Sequence, residues 1–415
     1  MRTNTSTLLV SSLVAVALSA VTAATQAPAP AAPPRTSTLT PDPKAAAFAK
    51  PAADNMTLTA VEGIKVGHFT LAERPTGCTA ILFKDGTTGS VDVRGGAPGT
   101  RETDLLNPVN NVQIVNAISL SGGSAFGLDA ASGVMKWLDE HNIGYPVGAA
   151  GVVPIVPAAI LFDLGFGGNA KIRPGADCGY RAAEAASEAP VIEGNVGAGT
   201  GATVGKSGGG RGAGGSGGPM KAGIGSAAIR MPNGLVVAAI VAVNVVGDII
   251  DPWTGQVVAG VRGPDGKLAD ARKMLRGGAG REGRAGENTT IGIVATNAKL
   301  TKVQAQKMAQ MAHDGYARAI SPVHTPGDGD TIFSVATGTW DGTANYGQIG
   351  SLAAEAMADA IVRAATQAAS SNGLPAARDL GTIPSRIKQW GEQAGPLRSG
   401  GSAGANSCNW PDRRS

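Results

Sequence analysis

The stretch Gly286-Glu287-Asn288-Thr289-Thr290-Ile291 divides a charged, glycine-rich segment from a strand. Upstream, residues 276–287 place Arg276, Arg281, Arg284 and Glu287 among glycines. Downstream, Thr289–Thr296 (TTIGIVAT) is β-branched and apolar, the composition of a short strand buried on both faces. The junction has two readings. It is an ordinary entry into a strand, or the Asn288–Thr289 bond is cut by the chain itself. In the second case Thr289 becomes a new N-terminus, with its hydroxyl beside its own free amine.

The segments around this strand set the fold class. Thr301-Lys302-Val303-Gln304 is a capping box that opens a helix running to about Ile320. Val323–Thr331 is a loop leading into a strand, Ile332–Ala336, and Ile349–Ala369 is a long Ala-rich helix. Upstream, Gly223–Arg230 and Leu235–Val246 are two strands joined at Pro232-Asn233-Gly234, a strong hairpin turn. Val61–Thr70, Thr79–Phe83, Ser90–Val93 and Asn111–Leu120 are further strands. After Gly122-Gly123, Ser124 is a plausible N-cap for a helix over 125–140. That strand–Gly–helix junction is either an anion or oxyanion site or a tight packing corner. Arg181–Ala189 reads as a short helix. Hairpins and crossovers together, with several strands apolar throughout, predict a layered α/β protein with sheets covered on both faces.

Bulk properties bound the function. A net charge of +4 over 415 residues, with no dense Lys/Arg stripe, is no nucleic-acid signature despite a pI near 9.0. Arg2, the apolar run Leu8–Val21 and small residues at 21–23 have the layout of a secretory signal peptide cut near Ala23. The run is too short for a stable span. The mature chain is therefore expected to be exported, periplasmic or secreted, and off the membrane. Residues 24–56 read as a disordered Pro/Ala-rich spacer, 57–370 as one domain, and 371–415 as a low-complexity tail. Of three cysteines, Cys78 and Cys178 are expected as buried free thiols and Cys408 falls in the tail.

Familiar motifs fail. The Gly-rich run before Lys206-Ser207 carries Thr200 where a phosphate-binding loop needs Gly. A dinucleotide fingerprint forced onto Gly197, Gly199 and Ala202 has no βαβ unit around it. No Gly-x-Ser-x-Gly elbow supports a Ser-His-Asp triad. What remains is polar and scattered. Lys206 is either solvated or held where backbone approaches a substrate. Asn244, inside an apolar strand, either bonds backbone or donates to an oxyanion. Asp328 and Asp330 either cap a turn, bind a metal with His324, or orient a nucleophile and its amine. An EF-hand is denied by Thr331-Ile332-Phe333.

Seven stretches, in order, carry a resemblance. They are Val91–Gly96, Ser121–Leu128, Pro157–Leu164, the Gly-rich run ending in Lys206, Asn244–Gly247, Asn288–Thr290, and His324-Thr325-x-x-Asp328-Gly329-Asp330-Thr331. Together they resemble the L-aminopeptidase/D-esterase (DmpA-like) family, which includes β-aminopeptidases and 6-aminohexanoate-oligomer (nylon-oligomer) endohydrolase. The resemblance implies a four-layer α/β/β/α sandwich like that of N-terminal-nucleophile hydrolases, with different connectivity. It implies self-cleavage at Asn288–Thr289 into two chains that stay together, often as a tetramer of such pairs. It also implies Thr289 as nucleophile, with Lys206, Asn244, Asp328 and Asp330 beside it and no metal or organic cofactor. Phe162 stands where the family has a Tyr, so no phenol hydroxyl is present there. The expected function is an aminopeptidase acting on small peptides, amides or esters. The alternatives are an endo-amidase on oligoamides and a non-catalytic secreted binding protein.

Overall fold

The structure, a computed structural model, describes residues 40–208, 217–278 and 287–383. The expected signal sequence, residues 24–39 of the expected spacer, residues 279–286 of the segment before Asn288, Cys408 and the end of the tail lie outside them.

Two five-stranded sheets form the centre. The first contains β1 (Ile64–Thr70), β2 (Gly77–Phe83), β4 (Thr100–Arg101), β5 (Ala117–Ser121) and β6 (Ala158–Ile160), in the order β1-β2-β5-β6-β4. The second contains β3 (Thr88–Val93), β9 (Ile224–Arg230), β10 (Val236–Asn244), β11 (Thr289–Thr296) and β12 (Thr331–Ala336), in the order β9-β10-β11-β12-β3. Two short strands, β7 (Thr203–Val204) and β8 (Met220–Lys221), pair with each other. β10 and β11 run antiparallel, with Asn244 opposite Thr289 at one end. β11 and β12 run parallel.

Alternation along these strands feeds two apolar layers. Ile240, Ile291, Ile293 and Phe333 meet Ile81, Ile118 and Leu120 between the sheets. Val241, Val294 and Ile332 face α5 (Lys302–Ala319) and α6 (Tyr346–Thr366) on the outside. The first sheet is covered by α2 (Ala130–Glu140) and α3 (Ala176–Glu184) through Ala80, Val134, Leu138 and Ala182. The result is the four-layer α/β/β/α order. The α2–α3 contact depends on glycine. A Cβ on Gly133 would lie 1.7 Å from Ala176 O, and one on Gly179 would lie 1.8 Å from Ala130 O. Two minor helices, α1 (Pro43–Ala46) and α4 (Ala271–Arg276), lie outside these layers.

Several local expectations hold. The β11 bounds are as expected, the Thr301/Gln304 capping box forms, and the hairpin turns at Pro232-Asn233-Gly234. Others are corrected. Cys78 on β2 and Cys178 on α3 are not free thiols but form a disulfide, because helix-on-sheet packing brings their Cα atoms to 6.1 Å. The helix expected at 181–189 begins at Ala176, where Asp129 accepts the Ala176 N–H. Ser124 makes no side-chain cap; it has φ +55° and starts a 3₁₀ segment, Ser124–Asp129, ahead of α2. Some residues of the expected spacer and tail pack against the domain. Asn55 is buried, Asp42 N–H donates to His141 O, and Leu374, Ala376 and Ala377 join the interior.

Candidate active site

The strand register brings the sequence-selected residues together. Asn244 ends β10 and Thr289 begins β11, and the two are direct cross-strand partners. By alternation both share the face of Ala242 and Ile291, the inter-sheet side. The loop before β12 lies alongside, with Asn288 and Asp328 in a parallel bridge. Asn288, Thr289, Asn244, Asp328 and Asp330 are all buried.

Around the intact Asn288–Thr289 bond the carbonyl has two donors. Thr289 Oγ1 donates to Asn288 O at 2.5 Å, and Gly329 N–H donates to the same oxygen at 2.9 Å. Donors on a carbonyl oxygen favour charge developing there during attack. Gly329 is not replaceable by sterics alone, since a Cβ there would come within 2.9 Å of both Thr289 Oγ1 and Ala97 O.

Lys206 spans the site. Its Nζ donates to Asn244 Oδ1 (2.6 Å), Asn244 O (3.3 Å), Glu287 O (3.2 Å) and Asn288 Oδ1 (3.2 Å). Burial of the ammonium pushes its pKa down to about 7, while Asp328, Glu287 and Asp163 oppose that fall. A lysine near neutrality can give or take a proton. Asn244 bonds backbone, the first of its two readings. Its Oδ1 accepts from Lys206 and from Thr203 N–H (3.2 Å), and its Nδ2 donates to Phe162 O at 2.9 Å. An amide NH₂ has two donor protons, so one remains beyond that bond. Phe162 meets the site through its backbone carbonyl.

The two aspartates divide. Asp328 Oδ2 accepts from Thr325 N–H at 2.7 Å, the turn-capping role. Burial, then the neighbouring Asp330 charge, raises its pKa. Asp330 Oδ1 accepts from Thr290 N–H at 2.8 Å, the peptide that follows Thr289. Its Oδ2 accepts from His324 N–H (3.0 Å) and lies 2.9 Å from His324 Nδ1. Among the described residues no cluster of three His, Cys, Asp or Glu side chains is placed to hold a metal ion.

Three contributors escaped the sequence. The Gly329 N–H is invisible to residue typing, because every residue but proline has one. His324 was weighed only as a metal ligand. Asp163 looked like part of an apolar run, yet it is fully buried against Arg74 (2.8 Å), Thr76 Oγ1 and Gly123 N–H. A charge inside an apolar stretch was the available signal for it.

Comparison with known proteins gives the family. The model of peptidase family S58 matches residues 56–378. An uncharacterized aminopeptidase of Mycobacterium leprae is 40% identical over 359 residues, covering 78% of this chain and 94% of that protein. A 6-aminohexanoate-oligomer endohydrolase of Kocuria sp. is 31% identical over 318 residues, covering 73% of this chain and 84% of that protein. In fold, the chain is similar to a Burkholderia sp. beta-aminopeptidase (TM-score 0.58, 20% identity, 86% of this chain and 100% of that one). It is equally similar to the L-aminopeptidase D-Ala-esterase/amidase of Ochrobactrum anthropi, described as a variant of the Ntn-hydrolase fold (TM-score 0.58, 17% identity, 85% and 99%). The chain belongs to peptidase family S58 and is a hydrolase of peptide or amide bonds.

Proposed function

We propose that the chain is an exported, self-processing aminopeptidase with Thr289 as its N-terminal nucleophile. The observation that carries this reading is the doubly bonded Asn288 carbonyl, with the Thr289 hydroxyl on one side and the Gly329 N–H on the other. In the precursor, Thr289 Oγ1 attacks the Asn288 carbonyl carbon. The C–N bond breaks as the acyl group moves to oxygen, and the Thr289 amine takes the proton. Water then hydrolyses the ester, leaving Asn288 as a new C-terminus and freeing Thr289. The released α-amine ordinarily titrates near about 7.7–8.0, so it can accept the hydroxyl proton at neutral pH. Lys206 and Asn244 stabilise the oxyanion and relay the proton, and Asp330 holds the nucleophile's peptide. Substrate acylates Thr289, its amine departs, and water deacylates the enzyme. Two-chain protomers assemble as a homo-oligomer, a tetramer by family resemblance.

The purified mature protein should run as two chains on a denaturing gel, the smaller reading Thr-Thr-Ile-Gly from its N-terminus. Thr289→Ala should abolish both the cut and amide hydrolysis. A single intact chain that hydrolyses amides would overturn the mechanism. An uncut, inactive chain would favour a binding protein on the same scaffold. A second reading within the class, an endo-amidase on oligoamides, is supported by the relative named for 6-aminohexanoate oligomers. An aminopeptidase needs a free substrate amine, so preference for an N-blocked over a free amide would select the endo-amidase.

A further inference from the structure

His324 lies beside Asp330 with no step assigned to it, and its geometry is unusual. Its backbone sits at φ +57°, a left-handed conformation uncommon for residues other than glycine. In that conformation its own N–H and its Nδ1 converge on one oxygen, Asp330 Oδ2, at 3.0 and 2.9 Å. The other carboxylate oxygen holds Thr290 N–H. The ring is packed edge-on to His313 (centroids 4.7 Å) and stacked with Tyr316 (5.9 Å), both from α5. Tyr316 in turn donates its hydroxyl to Thr290 O at 3.2 Å. The backbone on either side of residue 290 is thus clamped: its N–H by Asp330 and its carbonyl by Tyr316.

We propose that His324 is a positioning residue for the reaction, fixing Asp330 so that the Thr289–Thr290 peptide holds the nucleophile in line. The inference rests on Thr289 being that nucleophile. A left-handed histidine costs on the order of 1 kcal/mol or more of backbone strain, and glycine or asparagine would sit there more easily. What the histidine ring adds is a second donor to Asp330 Oδ2, the third on the carboxylate. A carboxylate with fewer donors is less firmly directed.

His324→Gly keeps the left-handed backbone and its N–H bond but removes the Nδ1 donor. His324→Asn tolerates the same backbone and restores an amide N–H near the Nδ1 position. The charged and titratable groups around the pair are His313 and Tyr316 from α5, Asp92 and Arg94 from β3 and its exit, and Asp328 on the same loop. All of them are retained in both variants. With an amino-acid 4-nitroanilide as probe, His324→Gly is expected to lower kcat about 10–100-fold with KM within about 2-fold. His324→Asn should return kcat to within about 3-fold of wild type. A His324→Gly enzyme with wild-type kcat overturns the proposal. So does a His324→Asn enzyme as impaired as His324→Gly, which marks a packing role. The two failures differ. An uncut but active wild-type chain removes the Thr289 reading and this inference with it. A cut, active wild type matched by His324→Gly removes this inference alone.

Discussion

Two lysines at the open end of the sandwich share a chemistry and differ in what they touch. Lys206 and Lys221 are both held down to about 7 by burial. Lys221 is fully buried, and its Nζ donates to Gly199 O (3.2 Å), Ala202 O (2.8 Å) and Ala222 O, all backbone carbonyls close along the chain. Three N–H donors meet three acceptors, and the ammonium staples the loop that leads to β7. Lys206 remains partly exposed, and its four oxygens come from β10 and from the segment before β11. Two of those oxygens, Glu287 O and Asn288 Oδ1, belong to the two residues just before the Asn288–Thr289 bond. A depressed pKa therefore does not separate the lysine that staples a loop from the one proposed to act in the reaction; the identity of the acceptors does.

That contrast can be broken by substitution. Lys206→Met should cost about 10²–10⁴-fold in turnover and in the rate of the cut, with thermal stability nearly unchanged. A variant still cut and active within about 3-fold would make Lys206 a second staple. Lys221→Met should do the reverse. It strands three buried carbonyls, so unfolding in urea should show a loss on the order of 2–4 kcal/mol. Activity per folded molecule should stay within several-fold, and a fall as deep as that of Lys206→Met would erase the distinction.

The smallest effect is a shared one. For each lysine the folded-state pKa lies below the ordinary value, so between about pH 7 and 10.5 the unfolded chain binds more protons than the folded chain. Stability should therefore rise with pH across that window and carry the full burial penalty below it. Each single Lys→Met variant should flatten the rise measured by urea unfolding at successive pH values. A slope unchanged in either variant would show that lysine to be charged at no cost when folded.

The disulfide gives a second lesson of the same kind. Cys78 and Cys178 are 100 residues apart, and nothing near either marks the other. Their pairing follows from α3 lying across the sheet, which it approaches closely at Gly67, where a Cβ would lie 2.0 Å from Ala182 O.

What the sequence determined by itself was local. The strand Thr289–Thr296, the capping box at Thr301 and the Pro-Asn-Gly hairpin were all legible, because period, caps and turn chemistry act over a few residues. The ordered motifs also named Lys206, Asn244, Thr289, Asp328 and Asp330 as one set. Only the tertiary structure decided how they meet. Register set Asn244 opposite Thr289. The Asp-Gly-Asp loop turned one carboxylate to cap itself and the other to hold Thr290. Gly329 brought a bare N–H to the Asn288 carbonyl. These contacts join segments tens of residues apart, where no local periodicity carries information. The junction at Asn288–Thr289 is visible in the sequence as a change of composition; the two hydrogen bonds on its carbonyl arise from packing.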